Sequence, residues 1–476
     1  MATTPLRTRK AVLYFKIETT AGVDPVPTGT NAIYVEVTGS PCQPQAERIQ
    51  TNYVASSLDK SASLIGGVKC NMSFTVPIAT AAAANGPGVL PDWDALMQVC
   101  GFLGAATKTN LVTAAITIGF TTGSPNTITD SGSGLVAATV GTVITVIDTN
   151  GVNSGEYIVT TSAAGVLGVT KTDGTSAGFT AQTAGAGFPV TIVYGVAGAT
   201  ATAGTTTAFT AGASWSGTSE IYRHQPVLLS ANPATPAWAF IQDYTTGKVA
   251  TITDLMGSTL SAVTVASIPA NVTYLPTSVN ANLKTGTAYL YVDGVCWQAV
   301  GLTGTWQVTH TTANIGRMQF QLSGIFQAKI DATLPAYTPP TVTTSIYRGG
   351  VTLLNRIAAA SKSLMFKSNN QVINPPNPAS SQGFDPGVIL SRKFEGSIDP
   401  QDTLVATRDI MTNFKNGTQV ALHARYGTVP GARVGQTCPT VKYIQHAPQD
   451  DGGIQRTPTS FECNGVDDGS ISLTIY

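Results

Sequence analysis

The chain has 476 residues, long enough for two to four ordinary domains, each able to bury a core of its own. Charged side chains make up only 11% of it against 42% apolar residues, and 26 basic groups balance 26 acidic ones. This composition excludes the basic footprint of a protein that grips nucleic acid by its phosphates, and it suits a surface largely covered by copies of itself.

The N-terminal segment MATTPLRTRKAVLYFKIETT is basic, but Lys16 and Glu18 interrupt its one apolar run, so no export signal is expected. No membrane insertion is expected either, because the long low-charge regions are rich in Thr and Gly rather than Leu and Ile. Strands are predicted at residues 11–18 (AVLYFKIE) and 32–37 (AIYVEV). The clearest strand is KCNMSFTVPI, where Cys70, Met72, Phe74, Val76 and Ile78 share one face and Lys69, Asn71, Ser73 and Thr75 the other. The polar stretch before it, residues 38–67, is too long for a tight hairpin and reads as an interaction loop. After a small-residue loop at 79–91, Trp93, Leu96, Met97 and Cys100 recur at helical spacing in DWDALMQVCGF, with Gly101 as a C-terminal cap. That stripe reads as a helix face packed on a sheet.

From about residue 106 to 270 the composition shifts to Thr, Gly, Ala and Ser, the mark of an insertion. Its first half predicts a small all-β module, with strands at 143–147 and 157–161 and turns at Asn150-Gly151 and Asn153-Ser154-Gly155. Its second half, including EIYRHQPVLLSANPATPAWAFIQDY, suggests no fold. Hairpins return in TAYLYVDGVCWQAV, where Asp293-Gly294 supplies a turn that needs positive φ. RMQFQLSGIFQAKI follows with Met318, Phe320 and Leu322 on one face, and PAYTPP marks a boundary near residues 335–340.

The two sides of that boundary repeat one order of elements. The first runs AIYVEV, a long polar loop, KCNMSFTVPI, the helix DWDALMQVCGF, the hairpin around DGVCW and RMQFQLSGI. The second runs SLMFKS, the loop NNQVINPPNPASSQGFDPG, VILSRKFEGSIDP, a helix near DTLVATRDIMTNFKNG, TQVALHARYG and TSFECNGV.

Chemistry-bearing residues form no catalytic pattern. Cys42, Cys70, Cys100, Cys296, Cys438 and Cys463 are scattered without CxxC, and read as core residues with no disulfide framework. His224, His310, His423 and His446 lack HExxH spacing, and GASWSG around Ser214 and Ser216 misses the serine elbow. Asp450-Asp451 and Asp467-Asp468 each precede Gly, as turn residues do, without calcium-loop spacing. The expectation is a non-enzymatic protein with no catalytic, cofactor-binding or metal residues.

The segments KIETTAGVDPVPTGTNAIYVE, VLPDWDALMQVCGF, YLPTS with TAYLYVDGVCWQAVGLTGTW, and RMQFQLSGIF leading to LPAYTPP together resemble the major tail tube proteins of long-tailed, siphovirus-like bacteriophages. These are scaffold motifs, and their shared order carries the resemblance over most of the chain outside the insertion. It implies a mainly β chain with a duplicated tail-tube-type β-sandwich or barrel, each copy with a short flanking helix, plus an inserted small all-β domain. Residues 1–106 and 269–338 would form the first barrel, 107–268 a β-rich decoration domain on the outside of the tube, and 339–476 the second barrel. In that family six barrels form a ring, supplied by six single-barrel subunits or by three two-barrel subunits; the repeated order would make this chain a pseudo-sixfold trimer. Stacked rings would form the conduit for ejection of double-stranded DNA, which must slide without sticking. Implied partners are other copies of the chain, a tape-measure protein, a tail terminator and baseplate or tip proteins, in a virion tail assembled in the host cytoplasm. Candidate ring-to-ring elements are residues 38–67, 79–91 and 374–387 and the arm carrying Arg7, Arg9 and Lys10. The alternative is another β-rich virion or surface protein, a fibre or an adhesin, with a host-surface-binding module; within the insertion, Trp215, Tyr222 and Trp238 would be its ligand-facing aromatics, against a reading of passive decoration.

Overall fold

The computed structural model describes residues 6–36, 42–51, 53–54, 59, 62–80, 86–185, 187–231, 235–337, 343–465 and 468–476. The protein is mainly β, with 52% of residues in strands and 5% in helices. Strand β1 (Ala11–Ile17) is followed by a hairpin of β2 (Cys42–Ile49) and β3 (Leu64–Pro77), then helix α1 (Asp94–Val99) and β4 (Phe102–Thr107). β3 alternates as its sequence demands, with Cys70, Met72, Phe74 and Val76 buried and Lys69, Asn71, Ser73 and Thr75 half-buried. Gly101 ends the helix at φ +80°, a conformation that costs a side chain with a Cβ dearly.

The insertion is two modules rather than one. The first contains β5 (Thr109–Ala115), β6 (Ile118–Thr121), β7 (Asn126–Asp130), β8 (Val143–Asp148), β9 (Gly155–Ala163), β10 (Val166–Lys171) and β11 (Val190–Tyr194). The second contains β12 (Val196–Thr200), β13 (Ala203–Gly204), β14 (Ala208–Thr210), β15 (Pro226–Ser230), β16 (Ala237–Tyr244), β17 (Val249–Ile252) and β18 (Val265–Ile268). Their sheets run β5-β11-β8-β9-β10-β7-β6 and β12-β18-β15-β16-β17-β14-β13, the same order strand for strand. Each encloses its own core, around Ile144, Val159 and Ile192 in the first and Val227, Ile241 and Ile268 in the second. The second module escaped sequence reasoning because its β13 and β14 are two and three residues long, too short to show alternation.

The chain continues with β19 (Asn271–Pro276), β20 (Gly286–Val292), β21 (Val295–Thr311), β22 (Arg317–Asp331), β23 (Val351–Leu354), β24 (Ser361–Ser368), β25 (Phe394–Pro400), α2 (Ile410–Asn416), β26 (Val420–Tyr426), β27 (Val434–His446), β28 (Thr459–Asn464) and β29 (Ser472–Ile475). The turn between β20 and β21 has Asp293 at φ 38° and Gly294 at φ 111°, as its sequence demands. Asn271 lies opposite Thr107, so the two inserted modules hang from the tip of the β4–β19 ribbon.

Outside the insertion the strands form two sets with one pattern of antiparallel pairing. The first is β2-β3-β22-β21-β20-β1. The second is β24-β25-β28-β27-β26-β23. Chain order agrees too, with α1 and α2 both lying between the second strand of the hairpin-like pair and the strand that follows. A single core runs through both sets, including Leu13, Phe74, Phe320, Trp306, Phe366, Phe461 and Leu473. Of the sandwich or barrel expected, the mainly β class holds and no closed barrel forms: the outer edge of β2, and the β26-side edge of β27 beyond Val441, pair with no described strand.

The second inserted module docks on the second repeat, although it grows out of the first. Phe240 stacks on His423 and Tyr476 at centroid distances of 4.5 and 5.3 Å and packs directly on Gly435, where a Cβ would fall 2.3 Å from its ring. Arg433 lies over Trp238 and Tyr476 at 4.7 and 4.8 Å, with its Nη2 2.7 Å from Glu156 Oε2 of the first module. Arg425 forks the Asp254 carboxylate through hydrogen bonds of 2.9 and 2.8 Å. His423 and Gly435 alternate with Leu422, Ala424 and Val434, which face the core, so the insertion covers the opposite side of this part of the sheet.

Arg433 and Glu156 are 8% and 6% exposed, so removing one strands a buried charge. Glu156→Ala is expected to cost about 3–5 kcal/mol of stability, with Glu156→Gln losing most of the same amount, measured by urea unfolding. A loss below about 1 kcal/mol would show that water already screens the pair.

Candidate assembly surfaces

Two repeats become one sheet where β21 pairs with β24 and, again, where β19 pairs with β29 through Val272↔Ile475, Thr273↔Thr474 and Tyr274↔Leu473. β21 is long enough to pair with β22 along one edge while its other edge takes β20 first and then β24. A register shift between Val300 and Thr303, with Gly301 at φ +63°, bends the strand where it passes from one neighbour to the next. The joint consists of Gln307↔Lys367, Val308↔Phe366, Thr309↔Met365, His310↔Leu364 and Thr311↔Ser363.

Across this sheet the residues that point away from the core line up in rows. One row reads Thr75, Gln319, Gln307, Lys367, Glu395, Glu462 and Lys442, each directly opposite the next on the adjacent strand. Beside it, Ser73, Gln321 and Thr305 form a second row. The first repeat thus offers hydroxyls and amides, and in the second the charges cancel within the row. Lys367 Nζ is 3.3 Å from Glu395, and Lys393 Nζ is 2.8 Å from Glu395 and 3.8 Å from Glu462. Lys393 beside Glu395 holds that carboxyl below its ordinary range.

Residues 38–67 are a projecting hairpin rather than a loop, as far as they are described. Cys42 to Ile49 of β2 pairs with Met72 back to Leu64 of β3, and residues 37–41, 52, 55–58, 60 and 61 lie outside the described residues. Their sequence hid the strand because nearly every side chain of β2 is exposed, so no face alternates. Ile49, Tyr53, Val54, Leu64 and Ile65 stand out from the hairpin, all more than half exposed. Such a cluster on a protruding ribbon marks a contact surface.

The other candidate elements are tied down within the chain. Residues 374–387 strap across the first repeat: Ser323 Oγ donates to Asn374 Oδ1 at 3.0 Å, Gly387 N donates to Gly301 O at 2.9 Å, and Lys69 Nζ sits 4.0 Å above the Phe384 ring. In the 79–91 loop, the short strand Ala79–Thr80 pairs with Thr343–Thr344, and residues 81–85 lie outside the described residues. The N-terminal arm is held on the β20–β21 turn by Lys10 Nζ, 3.3 Å from Asp293, and by Arg7 N, which donates to the same carboxylate at 2.9 Å; Arg9 is exposed.

Several of the residues weighed for chemistry have structural partners. His224, His310 and His423 are buried, their Nδ1 atoms paired with Ser472 Oγ, Tyr426 OH and Thr437 Oγ1 at 2.9, 3.0 and 2.9 Å. His446 stacks on Phe414. The main-chain carbonyl of Ser216 accepts from Tyr244 OH at 2.7 Å and its Oγ donates to Thr218 Oγ1 at 3.0 Å, while Ser214, two residues before it, hydrogen-bonds no histidine among the described residues. Asp450 accepts from Gly453 N in a turn and Asp451 pairs with Lys362 and Arg456, while Asp468 binds Arg392 and Ser278; Asp467 lies outside the described residues. Among the described residues no group of three or more His, Cys, Asp or Glu could hold a metal. Trp215 and Tyr222 are buried in the second module's core and Trp238 lies under Arg433, so the aromatics that suggested an exposed ligand surface are not available for one. No helix of the described residues is long and apolar enough to cross a membrane.

No protein-family model matches the chain, and no curated protein is similar to it.

Burial pushes His224 down to about 3 and His310 to about 4, and His423 falls well below its ordinary 6.5. As pH drops below 6.5 the unfolded chain takes up these protons while the native one refuses them, so stability is full above that value and lost on the way to the folded values. Glu220, pushed up to about 7 by burial beside Asp243, acts in the opposite sense between 4.5 and 7. The Tm difference between wild type and His310→Gln, which removes only the histidine contribution, is expected to shrink between about pH 7.5 and about pH 5. A difference independent of pH would mean that His310 titrates in the fold as it does in the unfolded chain.

Proposed function

We propose that this chain is a structural, non-enzymatic subunit of a bacteriophage tail tube, assembling with copies of itself into stacked rings that form a hollow conduit for DNA ejection. The β21–β24 joint is the observation that carries the reading. It makes one sheet out of two like repeats, and it leaves the parts for another joint at the chain's two ends. β2 holds the place in the first repeat that β24 holds in the second, and its outer edge is unpaired among the described residues. β27 holds the place of β21, and beyond Val441 its edge on the β26 side is unpaired as well. A head-to-tail joint of β27 with β2 of the next copy is heterologous and closes into a ring. Three chains would then supply six repeats.

The rows of hydroxyls, amides and balanced charges suit the wall of such a conduit, since no stripe of unpaired Lys or Arg would hold phosphates and slow a sliding polyanion. We assign the inserted modules, which carry cores of their own, to the outside of the tube. The apolar tip of the β2–β3 hairpin is the surface we assign to neighbouring subunits. A tape-measure protein, a tail terminator and baseplate or tip proteins would bound the tube in a virion tail assembled in the host cytoplasm.

Negative-stain electron microscopy of the recombinant protein tests this. Rings or tubes with threefold outer features around a pseudo-sixfold bore are expected. Solid fibres, or a persistent monomer even with a tape-measure protein co-expressed, would overturn it. Within the same assay, Ile444→Pro on the open edge of β27 is expected to abolish rings while leaving the far-ultraviolet circular dichroism intact, because an edge position tolerates proline.

A further inference from the structure

Four of the six cysteines, far apart in sequence, meet in two pairs. Cys42 Sγ lies 3.2 Å from Cys70 Sγ across β2 and β3, and Cys438 Sγ lies 3.0 Å from Cys463 Sγ across β27 and β28. Both are free thiols, closer than unbonded sulfurs pack and about 1 Å beyond the roughly 2.05 Å of a disulfide. Cys42 is opposite Met72 and Cys70 opposite Pro44, so the two cysteines are diagonal neighbours on one face of the hairpin.

Access separates the pairs. Cys438 and Cys463 are both buried, whereas Cys42 is half-buried with Cys70 sealed behind it. Only the first pair therefore presents a sulfur to a dissolved reagent. The hydrogen bond with Cys70 holds the Cys42 thiol below its ordinary range, and burial pushes Cys438 well above it. Thiolate is the attacking form, so access and activation fall on the same atom.

We propose that Cys42 and Cys70 form an oxidisable pair that a small-molecule disulfide converts into a cross-strand disulfide at the root of the projecting hairpin. Cys42 thiolate attacks the reagent, forming a mixed disulfide and releasing one reagent thiolate. Cys70 then loses its proton and attacks the Cys42 sulfur, and the second reagent thiolate leaves. In sum, two protein thiols and one small disulfide give one protein disulfide and two small thiols. The bond ties the start of β2 to the middle of β3 across 28 positions of sequence, so the root of the hairpin can no longer part. This inference needs only the folded chain and stands whether or not the chain forms tubes.

The test is to incubate the folded full-length protein with oxidised glutathione, denature it, block free thiols with N-ethylmaleimide and map the peptides by mass spectrometry. A Cys42–Cys70 cross-linked peptide is expected, lighter by two hydrogens than its parts, with Cys100, Cys296, Cys438 and Cys463 all labelled. In Cys70→Ser the reaction should stop at a stable glutathione adduct on Cys42, and in Cys42→Ser Cys70 should stay labelled. The proposal is overturned if all six thiols remain free in the wild type, if the wild type stops at the Cys42 adduct, or if Cys438–Cys463 oxidises first.

Discussion

The main-chain pairing of β21 with β24 is the constraint on which the rest of the molecule depends. Backbone N–H and C=O groups at a sheet edge must find partners, and an edge left open recruits another strand. Here the first repeat's open edge is met by the opening strand of the second. Because the residues at the joint keep strict opposition, the core-facing and outward-facing rows run through it without a break, from Thr75 to Lys442. The apolar side is continuous for the same reason, with Val308 opposite Phe366 at the joint itself.

The insertion adds a side-chain connection between the repeats to the β21–β24 and β19–β29 pairings. It leaves the first repeat at Thr107, returns opposite it at Asn271, and makes the Glu156–Arg433 and Asp254–Arg425 ion pairs with the second repeat. Desolvating Arg433 and Glu156 is costly, and the cost is offset only while their geometry is held by Trp238, Tyr476 and the packing of Phe240 on Gly435. Duplication occurs at both levels of the chain, in the joined repeats and in the paired inserted modules. Each inserted module, however, keeps its own core, whereas the two repeats share one.

The candidate surfaces follow from where apolar burial stops. β2 and the start of β3 extend past the core, so their side chains are exposed on both faces and the ribbon carries its apolar residues outward. The same ribbon carries Cys42 at its root, half-open to solvent, beside a partner that the core has sealed.

The mainly β character, the β3 and β22 strands, the Asp293-Gly294 turn and the α1 cap at Gly101 were legible in the sequence, because each depends on local chemistry; of the strand expected at 32–37 as the counterpart of SLMFKS only Ala32–Ile33 forms, and β2 takes that place in the first repeat. Alternation with period two states which side of a strand is buried, and a positive φ demands a residue that tolerates it. The order β12 to β18, the reach of β2, the pairing of the cysteines and the docking of Phe240 on Gly435 were not legible. Short strands and doubly exposed strands carry no alternation, and ladder hydrogen bonds join any two backbones, so side chains do not name the neighbour. Composition and pattern by themselves determined a β-rich chain of repeated design with little charge; tertiary structure decided which edges are joined, which are left open, and which sulfurs and charges come to face one another.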